Sequence, residues 1–161
     1  MFRAKINLQK QLEYFYKNKN LLGSIFLNLM KFIQRIMQKQ LNAVKLFHET
    51  YGLGVSEEMR ADLGKLKNEL RFNLMKEENE EYLEAVQNND LVEIADALGD
   101  MLYILCGTIL EHGLQHKIEE VFDEIQRSNM SKLDENGQPI FREDGKILKS
   151  NLYFKPNIKT I

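Results

Sequence analysis

Apolar residues recur every three to four positions from about residue 33 to residue 127, the period of amphipathic helices. The stretch IQRIMQKQLNAVKLFHETYG reads as a first helix, closed near Gly52 and Gly54. A second is expected from about Ser56 to Val86, with Leu63, Leu66, Leu70, Leu74 and Met75 among its apolar residues. QNND is a turn, after which Asp90 suits an N-cap and Glu93, three residues on, completes a capping-box pattern. The third helix places Leu91, Ile94, Leu98, Met101, Leu102, Leu105 and Ile109 on its expected buried side. EHG ends it, with Gly113 as the C-cap glycine. A fourth helix is expected from about Gln115 to Arg127. Four helices with short links predict an all-α protein, an antiparallel four-helix bundle.

Beyond Arg127 the texture changes. DENGQPIFREDGKILK holds two turn signals, Asn136-Gly137 and Asp144-Gly145. The second lies between Ile140-Phe141 and Ile147-Leu148 and predicts a short β-hairpin in an otherwise irregular tail. Both prolines, Pro139 and Pro156, fall in this region. Residues 1–29 show weak periodicity and come before Met30 and Met37, and residues 1–36 are expected to be an N-terminal extension outside the fold. The helical domain then spans 37–130 and the tail 131–161.

The 161 residues suffice for one domain with a core. A net charge of −2 points to no nucleic-acid or membrane partner. The single cysteine, Cys106, excludes an internal disulfide and lies in an apolar run, as a packed thiol would. LLGSIFLNLM (21–30) is too short to span a bilayer, and a cytoplasmic location is expected.

Charge patterning changes the picture more. Between Glu77 and Asp100 stand nine acids, Glu77, Glu78, Glu80, Glu81, Glu84, Asp90, Glu93, Asp96 and Asp100, without one Lys or Arg. At about 100° per residue, Glu77, Glu81 and Glu84 share one helix face, with Glu78 one step round. Glu93, Asp96 and Asp100 share a face of the next helix. A tight turn would bring the two faces together. One reading is a pair of solvated acidic faces. The other is that the carboxylates converge on a hard divalent cation, which removes their repulsion; Mg²⁺ suits carboxylates, water and substrate phosphates. Asp96 and Asp100 sit in IADALGDMLYIL, where apolar flanks predict partial desolvation and hence a partner. Glu-x-x-His, Cys/His clusters, P-loops and G-x-G-x-x-G motifs are absent from the sequence. His48 is expected at a helix end, on the surface or at a pocket edge.

EENEE (77–81) matches EExxE, and EIADALGDMLY (93–103) resembles the ExxD helix that follows it. With RSNMSK (127–132) and DGKILK (144–149) in the same order, the chain resembles the all-α nucleoside triphosphate pyrophosphohydrolases: MazG, the dimeric dUTPases and phosphoribosyl-ATP pyrophosphohydrolase. The resemblance covers about residues 37–156. It implies a MazG-like four-helix fold assembling as a homodimer or homotetramer. It also implies Mg²⁺-dependent (or Mn²⁺-dependent) cleavage of a (d)NTP to (d)NMP and pyrophosphate, a nucleotide-pool housecleaning activity. Glu77, Glu78 and Glu81 then serve as metal ligands or as the base near the attacking water, and Asp100 is the Asp of ExxD. Ala97 stands where the partner glutamate belongs, which leaves Glu93 and Asp96 as its substitutes among the ligands. Asn129, Lys132, Lys146 and Lys149 match phosphate-holding positions, and His48 and Tyr103 would border the base pocket. The tail is then a segment that closes over the substrate. The alternatives are a catalytically weak bundle that binds nucleotide or metal, and a plain helical interaction protein.

Overall fold

The computed structural model describes residues 36–161; the expectations for the N-terminal extension and for LLGSIFLNLM lie outside the described residues. Four α-helices form in this order: α1 Ile36–Tyr51, α2 Lys65–Gln87, α3 Leu91–Glu111 and α4 Ile118–Met130, followed by a 3-10 turn at Ile158–Thr160. The described part is thus all-helical, consistent with a helical bundle, and holds no β-strand. None of its helices is long and apolar enough to cross a membrane. The chain divides between Lys39 and Gln40, and residues 40–161 form one compact unit.

Helix α2 starts nine residues later than the periodicity predicts. Residues 52–64 form a connector laid across the end of α3. Ser56 N–H donates to Leu110 O and Arg60 N–H to His112 O. The Ser56 hydroxyl donates to Glu58 O, and Arg60 donates to that hydroxyl. The Asp62 carboxylate takes the Gly64 N–H and the Asn68 side chain, a clip that opens α2 at Lys65. Polar side chains therefore consume the backbone groups that a longer helix would have used. The α2–α3 turn follows the sequence: Asn89 adopts φ +56°, and Asp90 accepts from the N–H groups of Val92 and Glu93. The Asp90 N–H goes to Ala85 O. At the far end of α3, Gly113 N–H donates to Leu110 O and Leu114 N–H to Ile109 O, a Schellman pair around a glycine at φ +70°. A Cβ there would lie 2.2 Å from Glu58 O, so only glycine fits beneath the connector.

Helices α2 and α3 pack against each other along their length. The buried apolar residues are Leu41 and Val44 of α1, Ala85 of α2, and Ala97, Cys106, Ile109 and Leu110 of α3. Cys106 is a packed free thiol whose pKa burial raises. The expected buried side of α3 needs correction. Ile109 is buried and Ile94 and Met101 are half-buried, but Leu91, Leu98, Leu102 and Leu105 are exposed. The inner face of α3 is instead the line of Ile94, Ala97, Met101, Ile104 and Thr108, all buried or half-buried, one step round from the exposed leucines.

The fourth helix begins at Ile118, three residues later than expected, after a turn in which Lys117 and Ile118 N–H both donate to Leu114 O. The expected β-hairpin is not formed as strands. A single antiparallel bridge, Phe141 to Ile147, stands in its place, with Leu148 N–H on Ile140 O. Asp144 turns back on Arg142 and on Lys146 N–H, so the turn forms, but both arms are exposed and nothing packs on them to extend the ladder.

Candidate metal and nucleotide site

Helical geometry gives the α2/α3 hairpin two unlike flanks. The contact between the helices runs through Lys67, Arg71, Leu74, Glu78 and Ala85 on α2, all buried or half-buried. Taking the helical period from that line, Glu77, Glu81 and Glu84 fall on one side of it. On α3, Glu93, Asp96 and Asp100 fall on the same side. All six are exposed. The desolvation expected for Asp96 and Asp100 is therefore corrected, since their apolar neighbours in sequence point elsewhere on the helix.

Glu78 is the exception within the cluster. It is half-buried, and its Oε2 is closed off from solvent with no hydrogen-bond partner. Its pKa is raised, first by desolvation and then by the charges of Glu81, Asp100, Glu77 and Asp96. This coupling brings together carboxylates from both helices around one orphaned oxygen. Glu93 does not enter it. Among the described residues no three or more His, Cys, Asp or Glu side chains converge tightly enough to hold a metal ion as they stand. A hard divalent cation nevertheless fits this flank. The donors are all carboxylate oxygens, one is buried and unsatisfied, and the rest are exposed side chains free to swing inward.

One turn beyond Asp100 on the same side of α3 stands Tyr103. Phe47 of α1 meets its ring edge-on at 5.6 Å between centroids, and Tyr51 lies 4.5 Å from Phe47. All three rings are partly exposed, leaving an aromatic platform beside the acids. Burial, and then the nearby Tyr51, raise the Tyr103 pKa.

His48 is buried, at a pocket edge rather than on the surface. Its Nδ1 pairs with Gly54 O at 2.9 Å, and it borders a pocket of about 370 Å³ together with Lys45, Glu49, Gly52, Gly54, Val55 and Glu57. None of the acids of the α2/α3 flank, and not Tyr103, lines that pocket.

Sequence reading passed over the support beneath this region. Arg71 is buried, donates to Thr108 Oγ1 and Ile104 O, and pairs with buried Glu111 at 3.5 Å. Lys67 reaches the other Glu111 oxygen at 3.3 Å. Burial lowers the Arg71 pKa while Glu111 opposes that shift. At Gly107 three helices meet: a Cβ there would lie 2.7 Å from His48 Nε2 and 3.2 Å from Arg71 Nη2. The available signal was a lone arginine on the inner, leucine-bearing side of α2.

The phosphate-holding candidates lie at the end of α4 and in the tail. Asn129, Lys146 and Lys149 are exposed and Lys132 is half-buried. The ion pairs of the described residues include none of the three lysines. Lys149 Nζ sits 4.5 Å over the Tyr153 ring.

The family model for phosphoribosyl-ATP pyrophosphohydrolase matches residues 44–129, just over half of the chain and the whole of the acidic hairpin. The chain belongs to that pyrophosphohydrolase family, within the MazG-like all-α superfamily. Over 67 residues it is 36% identical to a protein of Acanthamoeba polyphaga mimivirus named only as uncharacterized protein L479; the match covers 42% of this chain and 27% of that relative. The chain thus spans about a quarter of the length of the curated relative it matches. A crystal structure from Exiguobacterium sp. 255-15, provisionally named an NTP pyrophosphohydrolase, overlaps with a TM-score of 0.40 at 21% identity, covering 98% of this chain and 74% of that one.

Proposed function

We propose that this chain is a Mg²⁺-dependent nucleoside triphosphate pyrophosphohydrolase that converts a (d)NTP to (d)NMP and pyrophosphate. The observation that carries the reading is the orphaned Glu78 oxygen, coupled to acids of both helices inside the family-matched segment. Glu77, Glu78, Glu81, Asp96 and Asp100 would hold the cation, with Glu93 at the edge of the set. A bound Mg²⁺ offsets their charge, grips phosphate and makes a water easier to deprotonate. Glu78, whose closed-off oxygen has no hydrogen-bond partner, is the residue we assign to receive that water's proton. The water oxygen bonds to one phosphorus, the α–β anhydride bond breaks, and pyrophosphate leaves. Tyr103 and Phe47 offer faces on which a base can stack, and His48 borders the neighbouring pocket. Lys132, Lys146 and Lys149, in no ion pair among the described residues, suit the phosphates as point charges, and Asn129 suits them as a polar donor. The tail 131–161 is the segment that closes over the substrate.

The exposed apolar stripe of the hairpin, on the flank opposite the acids, is where a second copy of this chain would dock. Two hairpins joined there would bury both apolar stripes in one four-helix core. The family reading of a homodimer or homotetramer accords with this.

A second reading, a bundle that binds nucleotide or metal with weak turnover, is favoured by Ala97 in the ExxD position and by the absence of a preassembled trio of ligands among the described residues. Pyrophosphate release from a panel of (d)NTPs, with and without Mg²⁺, separates the two. Turnover only with the metal supports the first. Nucleotide binding without product supports the second.

A further inference from the structure

RSNMSK divides into two sets of residues, and only one set faces the tail. Arg127 donates through Nε and Nη2 to the Glu124 carboxylate at 2.7 and 2.8 Å, and its guanidinium lies 4.3 Å over the Phe154 ring. The buried Ser128 donates its hydroxyl to Phe154 O at 2.8 Å. Ser131 Oγ donates to Ser128 O and accepts from Phe154 N–H. Glu124 Oε1 accepts from Asn157 N–H as well. A second tie lies nearer the loop: Ser150 Oγ donates to Leu133 O at 2.7 Å, and Asn151 Nδ2 to Glu135 Oε1. Residues 150–157 thus double back onto the end of α4. The segment 134–149 becomes a loop closed at both ends, carrying Lys146 and Lys149. Asn129 and Lys132 of the same motif make no side-chain bond to this returning strand.

We propose that Glu124, Arg127, Ser128 and Phe154 form a clasp that seats the tail on α4 and so positions Lys146 and Lys149 for a phosphate chain. Arg127 and Phe154 are positioning residues; they hold the loop that carries the lysines and need not touch the nucleotide. The arrangement is built for persistence. The carboxylate meets the planar guanidinium with two parallel bonds, the geometry that arginine matches and lysine does not. The cation covers an aromatic face that would otherwise be exposed. The ordinary contribution of a surface ion pair is small, so the clasp acts through the set of contacts rather than through any one.

This inference rests on the pyrophosphohydrolase reading for its kinetic half only. The full chain and its variants Arg127→Ala, Phe154→Ala and Arg127→Lys are compared by amide exchange, by trypsin cleavage after Lys146 and Lys149, and by steady-state kinetics. Loss of the clasp is expected to accelerate exchange at the Phe154 and Asn157 amides and to speed cleavage in the loop at least tenfold. The melting temperature should stay within a few degrees. KM for nucleoside triphosphate should rise about tenfold with kcat within twofold, and Arg127→Lys should recover part of the loss. Unchanged exchange and cleavage in both alanine variants would overturn the clasp. Faster exchange with an unaltered KM would overturn its positioning role. A parent chain that hydrolyses no nucleoside triphosphate overturns the pyrophosphohydrolase reading and the kinetic half with it, while exchange and cleavage still decide the structural half.

Discussion

The two flanks of the α2/α3 hairpin use the same helical period to opposite ends. On one, Glu77, Glu81, Glu84, Glu93, Asp96 and Asp100 gather charge with no base among them. On the other, Phe72, Met75, Tyr82, Leu83 and Val86 of α2 run beside Leu91, Leu98, Leu102 and Leu105 of α3, every one of them exposed or at the edge of exposure. Among the described residues both flanks lie open to solvent. Like charges brought together want a cation, and an apolar stripe of this extent wants a protein surface. The contact line between the helices, which includes Ala85 and Ala97, runs between the two flanks. What the comparison teaches is that a hairpin can close along its seam while one outer side stays charged and the other apolar.

The strongest way to break the comparison is to neutralise the acid flank at its most perturbed member. Glu78→Gln should lower kcat at least about 100-fold, the scale of a lost proton acceptor, while far-ultraviolet circular dichroism stays that of the parent. Full pyrophosphate release from this variant would move the chemistry off this flank.

Filling the acid flank should stabilise the fold without involving the apolar one. A cation that binds the native state alone adds about 2.7 kcal/mol at a hundredfold excess over its Kd. Differential scanning calorimetry should therefore show a higher Tm with Mg²⁺ or Mn²⁺. A Tm that ignores both metals but climbs with NaCl is the signature of a merely solvated acidic face.

On the other flank, Leu102→Glu should weaken self-association by about thirtyfold, or ~2 kcal/mol, as for a buried interface anchor. Sedimentation equilibrium reads this directly. A parent chain that is monomeric at high concentration contradicts the assignment of that flank to a second copy.

A smaller effect is expected where the hairpin meets α1. Gly107→Ala sets a methyl 2.7 Å from His48 Nε2, and overpacking of this kind costs about 1–3 kcal/mol. The urea midpoint should fall accordingly, and the aromatic platform of Phe47 and Tyr103 should shift with it. An unchanged midpoint would mean that His48 and Arg71 yield freely.

The smallest effect concerns pH and the tail rather than either flank. Arg127 first, and then the Asn157 N–H, hold the Glu124 carboxyl down to about 2 from an ordinary 4.5. A depressed carboxylate stabilises above its ordinary value, and that contribution is lost as pH falls toward the folded value. The Asn157 amide should keep its protection at pH 5 and lose it between about pH 4 and pH 2. Loss already at pH 6 would show that another group governs the contact.

Much of this was legible along the chain. The number of helices, the Asp90 cap, the Gly113 terminus and the packed Cys106 follow from local rules, in which a residue's own backbone preference or its neighbours three or four positions away decide the outcome. The gathering of acids on shared faces of two consecutive helices is likewise a matter of period and turn length, so EENEE and EIADALGDMLY announced the candidate site unaided. Tertiary structure decided what no period contains. It set Ala97 with Ile94, Met101 and Ile104 on the seam and left Leu98 and Leu102 exposed on the outer side. It delayed α2 to Lys65, because Ser56 and Arg60 found partners at the far end of α3. It buried Arg71 beside Glu111, folded the tail back through Arg127 and Phe154, and closed one oxygen of Glu78 off from solvent with no hydrogen-bond partner. Each of these depends on groups far apart in the chain, whose meeting is determined only when the helices have packed.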